Sequence, residues 1–324
     1  MRFFKKERKL YPSIEPFDSG FIKKGIHEIY YEQCGNPKGK PAVFLHGGPG
    51  SGCNEAQKAI FDYKKYRVVF LDQRGSDQST PKGEIKNNTT LKLINDIEAV
   101  RKYLKIERWI VVGGSWGATL ALAYGQAHTD RVEAMILRAL FLGTKKEIEW
   151  AFLYAPLKFR PELIYRLNDF LNNKTLINPI FALGKMLESK NEKIRVLGAD
   201  LWLAYESNLS TIQFDYNTFN EVLSNSGKKK KILPNTPFLE WHYIKNDFFL
   251  KPNQLIKNKK KLSNIKISII QSDYDLLCPP QTSFNFASGL SNCKVIRIAS
   301  AGHYISDPGV KEMMKQLLDE YEKI

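Results

Sequence analysis

Short runs rich in β-branched and aromatic residues recur along the chain and alternate, over most of its length, with segments of helical periodicity. They span residues 27–33, 42–46, 67–72, 109–113, 133–138, 266–271 and 294–298. The second to the sixth are nearly continuous in apolar residues, as is typical of strands covered on both faces. The first alternates, which favours an antiparallel strand at an edge. The pattern therefore predicts an α/β fold, a doubly wound and mostly parallel sheet.

Two of the intervening segments predict helices that pack on this sheet. Residues 116–127, WGATLALAYGQA, are mostly small and suit close packing. Residues 90–104 carry apolar side chains at helical spacing, which predicts one buried face made of Leu91, Ile94, Ile97, Val100 and Leu104.

The strand pattern is absent from residues 141–250, which are helical in pattern and rich in aromatic residues. It resumes afterwards, and the last strands need partners from the first half of the chain. We therefore predict a core domain of residues 1–140 and 251–324, with residues 141–250 inserted as a helical cap domain. A chain of 324 residues with 43% apolar residues is long enough to bury such a core.

Composition argues against membrane spans and metal clusters. No stretch of 18 apolar residues occurs, and the basic start has no apolar run typical of a signal peptide, so we expect a cytoplasmic protein without a membrane partner. The four cysteines lack CxxC spacing and the five histidines lack HExxH-like pairing. We expect free thiols, no metal and no cofactor.

The formal net charge of +15 raises the possibility of a nucleic-acid partner. The densest lysine runs, GKKKKI at 227–232 and KNKKKL at 257–262, are interpreted as solvated loops. Neither is interleaved with aromatic residues, and no zinc-finger or RNP-like motif occurs. We predict no nucleic-acid binding, and no pattern in the chain indicates an oligomeric state.

The sequence GGSWG places Ser115 between a predicted strand and a predicted helix. It fits G-x-S-x-G, in which glycines permit a sharp strand-to-helix turn that exposes the serine hydroxyl. The helix N-terminus also favours developing negative charge. Ser115 is therefore the candidate nucleophile, although a polar turn would also explain a serine here.

A serine nucleophile needs a base and a carboxylate to orient that base. Three histidines follow Ser115, and we choose His303, in a turn just past the last strand, over His128 and His242. Asp273 and Asp275 both follow the strand at 266–271 and are equally good candidates for the acid; Asp307 is a weaker third.

The loop FLHGGPGSG at 44–52 follows a buried strand and is a candidate for oxyanion stabilisation. Glycines there let the main chain approach a substrate carbonyl closely. We predict an oxyanion hole made by the main chain of Gly47 and Gly48 together with Trp116, the residue after the nucleophile.

Several segments together resemble the proline iminopeptidases of the α/β-hydrolase fold. They include GKPAVFLHGGPGSGC, VVFLDQRGSDQST, GGSWGATLALAYGQAH, SDYDLLCPP and AGHYISDPG, and they cover both ends of the chain. The resemblance implies Ser115 as nucleophile and His303 as base. It also implies that the acid is the second aspartate before Cys-Pro, which is Asp275.

The resemblance also implies how a substrate is bound. Glu206 in WLAYESNL and Glu240 in LEWHYIKNDFF match glutamates that receive the free amino end, and Phe141 is the candidate wall for the proline ring. The implied function is a serine aminopeptidase that releases N-terminal proline from peptides through an acyl-enzyme. The alternatives are an esterase or amidase of the same fold, and a non-catalytic basic binding protein.

Overall fold

A computed structural model describes residues 10–12, 14–172, 177–224 and 235–324. The described chain contains one eight-stranded sheet with the strand order β1-β2-β4-β3-β5-β6-β7-β8. In chain order the strands are β1 (Asp18–Lys24), β2 (His27–Gly35), β3 (Lys40–Leu45), β4 (Tyr66–Leu71), β5 (Trp109–Ser115), β6 (Val132–Leu140), β7 (Lys266–Ser272) and β8 (Cys293–Ile298).

Strands β3 to β8 pair in parallel, whereas β2 pairs antiparallel with β1 and with β4. The predicted α/β fold, with a doubly wound and mostly parallel sheet, is confirmed. The prediction that residues 27–33 form an edge strand is wrong, because β1 lies outside them. Strand β1, DSGFIKK, exposes most of its residues and so carries no apolar run that the sequence pattern could reveal.

Helices that precede β6 or follow β7 pack on the sheet, and most of the helices between β6 and β7 form an insert. The helices are α1 (Glu55–Lys58), α2 (Thr90–Tyr103), α3 (Trp116–Ala127), α4 (Lys145–Glu149), α5 (Ala155–Phe159), α6 (Pro161–Phe170), α7 (Pro179–Leu187), α8 (Glu192–Ser210), α9 (Tyr216–Ser224), α10 (Asn235–Lys245), α11 (Gln254–Lys257), α12 (Pro280–Ala287) and α13 (Val310–Tyr321). A π-helical turn, Trp150–Tyr154, joins α4 to α5.

Neighbouring residues of one strand serve two separate cores. Val43 belongs to the core that contains α2 and α3, whereas Phe44 belongs to the core under α13. One detail of the predicted buried face is wrong: Leu91 is 63% exposed and Leu93 is buried instead. Position 93 lies on the same face as Ile97, one helical turn away, so the apolar stripe is rotated slightly from the predicted one.

The helices α4 to α10 follow β6 and precede β7 in the chain, and the described part of this insert contains no strand. Its two connections to the sheet lie side by side. Lys145 Nζ is 3.6 Å from Asp247 Oδ1, and a Cβ on Gly143 would lie 3.3 Å from the Phe248 ring. The returning connection turns through residues 247–249, three successive non-glycine residues with φ of 49°, 54° and 52°.

The sequence predicted a loop for the lysine run at 257–262, and this prediction is wrong. The run forms the end of α11 and a 3₁₀ turn, Lys259–Leu262. Lys259 Nζ donates to the carbonyl of Phe286 at 3.1 Å, and such helix-terminal contacts leave no trace in composition. The run at 227–232 lies outside the described residues. Among the helices that the structure describes, none has the length and apolar character required to cross a bilayer.

Candidate active site

Ser115 occupies the sharp turn between β5 and α3. Its φ of 57° and ψ of −128° fall in a region that residues with a side chain rarely adopt, so the surrounding contacts must hold it there. The turn passes close to the end of β3: a Cβ on Gly117 would come within 2.0 Å of the Leu45 carbonyl oxygen. Glycine at position 117 is therefore required for this turn, and the turn points Ser115 into a cavity.

His303 and Asp275 form a buried hydrogen-bonded pair. His303 Nδ1 lies 3.0 Å from Asp275 Oδ1 and 2.9 Å from Oδ2. The N–H groups of Leu277 and Cys278 donate to Oδ1 at 3.1 and 2.8 Å, which fixes the carboxylate. An ionised carboxylate only accepts hydrogen bonds, so Nδ1 carries the proton and Nε2 is the basic nitrogen of the ring.

The two other candidate acids have different partners. Asp273 forms a two-pronged ion pair with Arg297, at 2.8 and 2.9 Å, on an exposed part of β8. Asp307 accepts from the N–H of Gly302 at 2.6 Å and so shapes the loop before the histidine. Of the three carboxylates, the structure brings only Asp275 to the imidazole of His303.

The other candidate bases also lie elsewhere. His128 follows the last residue of α3 and packs on Tyr124. His242, on α10, places Nε2 2.8 Å from the carbonyl of Asn88.

Arg138 is a functional candidate that the sequence analysis missed. From β6 it donates to the carbonyl oxygen of His303. Its guanidinium also fills the space beside the turn, since a Cβ on Gly114 would lie 2.8 Å from Nε. The one available signal was a lone arginine within the apolar strand EAMILRAL. Arg138 thus supports the two loops that carry Ser115 and His303.

The Cys278 thiol lies near the candidate residues and lines the same cavity as Ser115. Its Sγ, a ring nitrogen of His303 and a carboxylate oxygen of Asp275 all lie within 4.8 Å of one another, and these three residue types could hold a metal ion. However, Asp275 Oδ2 is paired with His303 Nδ1, and Oδ1 accepts from two main-chain N–H groups, so the geometry fits an acid–base pair. Burial, with the charge of Asp275, raises the pKa of Cys278 well above its ordinary value.

The predicted oxyanion loop lies against the serine turn. Gly48 has a φ of 99° and lines the same cavity as Ser115. A Cβ on Gly47 would be 3.3 Å from the carbonyl oxygen of Gly114, so the loop and the turn are in close contact. Trp116 is the first residue of α3, where main-chain N–H groups have no partner within the helix.

The cavity over Ser115 lies between the sheet and the insert and has a volume of about 460 Å³, which includes its opening to solvent. Phe141 lines it, next to Phe248, whose ring centroid is 5.0 Å away. Its further apolar lining was not predicted and comes from Pro49, Ile148, Ala151, Phe152, Ile244 and Leu277. A cavity of this kind suits a small apolar group held near the serine.

Glu206 on α8 and Glu240 on α10 both line this cavity. Glu240 Oε2 accepts from Trp202 Nε1 at 2.5 Å. Burial, together with the charge of Glu206, raises the pKa of Glu240 well above its ordinary value; burial also raises that of Glu206. The raised pKa values mean that burial disfavours two negative charges here, and a cation bound beside the two carboxyl groups would stabilise them.

The insert is bonded directly to the loop of the candidate base. The main-chain N–H of His303 donates to the carbonyl oxygen of Ser210, the last residue of α8, at 2.9 Å. On the next residue, the Tyr304 hydroxyl lies 3.2 Å from Ser207 Oγ. Helix α8 therefore links Glu206 to the main chain of the loop that carries His303.

Comparison with known proteins gives full-length relatives. Residues 40–310 match the family described as the alpha/beta hydrolase fold. A probable proline iminopeptidase of Leptolyngbya boryana is 36% identical over 316 residues, which cover 97% of each chain. A proline iminopeptidase of Arabidopsis thaliana is also 36% identical, over 97% of this chain and 84% of the relative. One from Xylella fastidiosa is 35% identical, over 93% and 95%.

Solved structures share the fold at lower identity. A proline iminopeptidase of Mycobacterium smegmatis superposes with a TM-score of 0.62 at 16% identity, over 94% of this chain and 99% of that one. An α/β-hydrolase from a deep-sea metagenome library gives the same TM-score at 17% identity, over 94% and 98%. These likenesses support the architecture described above.

Proposed function

The chain belongs to the proline iminopeptidase family of the α/β-hydrolase fold, and from that premise we propose that it releases N-terminal proline from peptides as a serine peptidase. The roles we assign are Ser115 as nucleophile, His303 as general base and Asp275 as the carboxylate that orients the base. The pairing of His303 Nδ1 with Asp275 and the strained turn at Ser115 support these roles.

The reaction has two halves. Ser115 Oγ bonds to the prolyl carbonyl carbon while His303 Nε2 takes the hydroxyl proton. The C–N bond then breaks, and His303 returns the proton to the leaving amine of the shortened peptide. In the second half His303 takes a proton from water, whose oxygen attacks the acyl carbon. The ester C–O bond then breaks, His303 returns the proton to Ser115 Oγ, and proline is released. The main-chain N–H groups of the Gly47–Gly48 loop and of Trp116 stabilise the oxyanion in both halves.

The specificity for a free amino end rests on Glu206 and Glu240. Their position in the cavity that also holds Ser115 is the observation that carries the proposal. A protonated prolyl nitrogen offsets the negative charge that burial disfavours on the two carboxyl groups, and it donates charge-assisted hydrogen bonds to their oxygens. Phe141 provides an apolar wall for the pyrrolidine ring.

The proposed division into domains separates the chemical step from the binding of the substrate. The residues assigned to chemistry belong to the core, 1–140 and 251–324, whereas Glu206 and Glu240 belong to the cap, 141–250. Changes in the cap would then alter which substrates bind and leave the acyl-transfer groups in place.

An esterase or amidase of the same fold is the alternative. The deciding experiment measures hydrolysis of a panel of aminoacyl arylamides, each with a free and with an acetylated amine. We expect the free prolyl arylamide to be the best substrate and the acetylated form to be cleaved at least 100-fold more slowly, about 3 kcal/mol for a lost charged contact. Equal rates for the free and acetylated forms would favour the esterase.

A further inference from the structure

We propose that Gln73 is a positioning residue that holds the two halves of the oxyanion hole in register. The proposal rests on the proposed function, because it assigns the oxyanion hole to the loop after β3 and to the first residue of α3. Gln73 follows β4 and belongs to neither segment. The sequence analysis gave it no role.

The side-chain amide of Gln73 bridges the two segments. Its Oε1 accepts from the indole N–H of Trp116 at 2.7 Å, and its Nε2 donates to the carbonyl oxygen of His46 at 2.8 Å. An indole N–H can only donate and a carbonyl can only accept, so the amide has one possible orientation. The side chains of Gln73 and Trp116 are almost completely buried, which excludes water as a substitute partner.

His46 extends the bridge to the glycine loop. Its Nε2 accepts from the main-chain N–H of Gln73 at 3.0 Å, which leaves the proton on Nδ1. Nδ1 then donates to the carbonyl oxygen of Gly47 at 2.9 Å. Complete burial lowers the pKa of His46 to about 4, so the imidazole stays neutral and keeps this arrangement at physiological pH.

These contacts matter because they add side-chain hydrogen bonds to the backbone packing of β3 on β5, which also joins the two halves of the oxyanion hole. Gly48 and Trp116 are far apart in sequence and follow different strands, so their N–H groups converge only through tertiary contacts. A displacement of about 1 Å in an active site can cost on the order of 100-fold in rate. A buried bridge with a single orientation restricts such displacement.

The test uses two variants of Gln73 and a matched control. Gln73→Met removes both hydrogen bonds at similar volume, and Gln73→Glu keeps the acceptor for Trp116 but loses the donor to His46. Gln126→Met is the control: Gln126 is also buried and donates to a main-chain carbonyl, that of Leu255, at the far end of α3. For each variant we would measure the melting temperature, and kcat and KM for prolyl arylamide and for 4-nitrophenyl acetate.

We expect Gln73→Met and Gln73→Glu to lower kcat about 10- to 100-fold on both substrates with little change in KM, because oxyanion contacts form in the transition state. Gln126→Met should retain the parent kcat. An unchanged kcat in folded Gln73→Met would overturn the proposal, as would a change confined to KM. If neither Gln73 variant folds, the role is structural and the proposal is also overturned.

The ester substrate separates this proposal from the proposed function. Its hydrolysis needs the oxyanion hole but no amine recognition. A parent protein that cleaves the ester and not the prolyl arylamide would refute the aminopeptidase assignment, while the ester kinetics of the Gln73 variants would still decide the role of Gln73.

Discussion

The main-chain N–H of His303 donates to the carbonyl oxygen of Ser210 at 2.9 Å, so the loop of the proposed base is bonded to the end of the helix that carries Glu206. Helix α8 therefore links the proposed site of amine recognition to the loop of the proposed base. The imidazole of His303 is held by Asp275, and its main chain by Ser210.

Ser115 is predicted to be the covalent nucleophile. A fluorophosphonate should label Ser115, as located by peptide mass spectrometry, and Ser115→Ala should lower kcat by about 1,000-fold or more because the covalent route is lost. Labelling of another residue, or full turnover by the alanine variant, would refute the assignment.

Asp275 and Asp273 provide a matched pair of substitutions. Asp275→Asn should lower kcat by about 10,000-fold, because an amide can stabilise the imidazole tautomer with the proton on the wrong nitrogen. Asp273→Asn breaks only an ion pair with Arg297 at the surface, so kcat should stay within about 2-fold of the parent. Steady-state kinetics of the two variants would check this, and the reverse ranking would exclude Asp275 as the orienting acid.

Glu206 and Glu240 are predicted to bind the substrate amine. Glu206→Gln or Glu240→Gln should lower kcat/KM for prolyl arylamide by about 30-fold, or 2 kcal/mol, because one charged partner of the ammonium is lost. Nearby carboxylates can outweigh the net charge of +15, since charges beyond about 8 Å are screened at physiological salt. The rate of labelling by a fluorophosphonate, which has no amine, serves as the control and should hardly change.

Glu240 is also predicted to destabilise the free protein. Because burial raises its pKa in the folded state, the folded state binds the proton more tightly than the unfolded state does. Stability is then lost as pH rises above the unfolded pKa of a glutamate. Glu240→Gln removes this loss and should raise the free energy of unfolding by about 1 kcal/mol or more at pH 7.

The gain from Glu240→Gln should shrink as the pH is lowered toward 4, where the parent carboxyl is protonated in both states. Chemical denaturation of parent and variant across this pH range would measure it. A gain in the free energy of unfolding that is independent of pH would show that the pKa of Glu240 is not raised in the folded protein.

Ile244 is predicted to limit the size of the accepted N-terminal residue. It lies on α10 between the cavity of about 460 Å³ over Ser115 and a neighbouring cavity of about 630 Å³, and lines both. Ile244→Ala should join them and raise the ratio of kcat/KM for leucyl over prolyl arylamide about 10-fold. Ile194→Ala, an exposed position on α8, is the control; an unchanged ratio in Ile244→Ala would mean that another wall sets the limit.

The sheet was predictable because strands that are buried on both faces have continuous apolar runs. The turn at Ser115 was predictable because close backbone contacts there require the glycines of the G-x-S-x-G motif. Strand β1 was missed, since an exposed strand has no such run. Within the site, the residues alone favoured two aspartates equally as the acid, Asp273 and Asp275, and left Asp307 as a weaker third candidate. Only the family resemblance separated them, because both follow the same strand.

The residues that support the site were harder to foresee. Gln73 and Arg138 form hydrogen bonds with segments that are distant in sequence. The local sequence around a polar residue in or near a strand does not show which distant group it will bond. Glu206 and Glu240 come from separate helices of the insert and meet only in the folded protein, so only the family resemblance pointed to them. Pattern analysis finds what is periodic or local, whereas these contacts are neither.

The insert is joined to the sheet at two neighbouring points, where Lys145 faces Asp247 and Gly143 packs against Phe248. For protein engineering, such an arrangement places both ends of the insert at one site on the rest of the protein. We expect that exchanging residues 141–250 for the corresponding segment of a related enzyme would require rebuilding at this one place. The new segment must also supply a main-chain carbonyl in the place of that of Ser210. This carbonyl accepts the hydrogen bond from the main-chain N–H of His303.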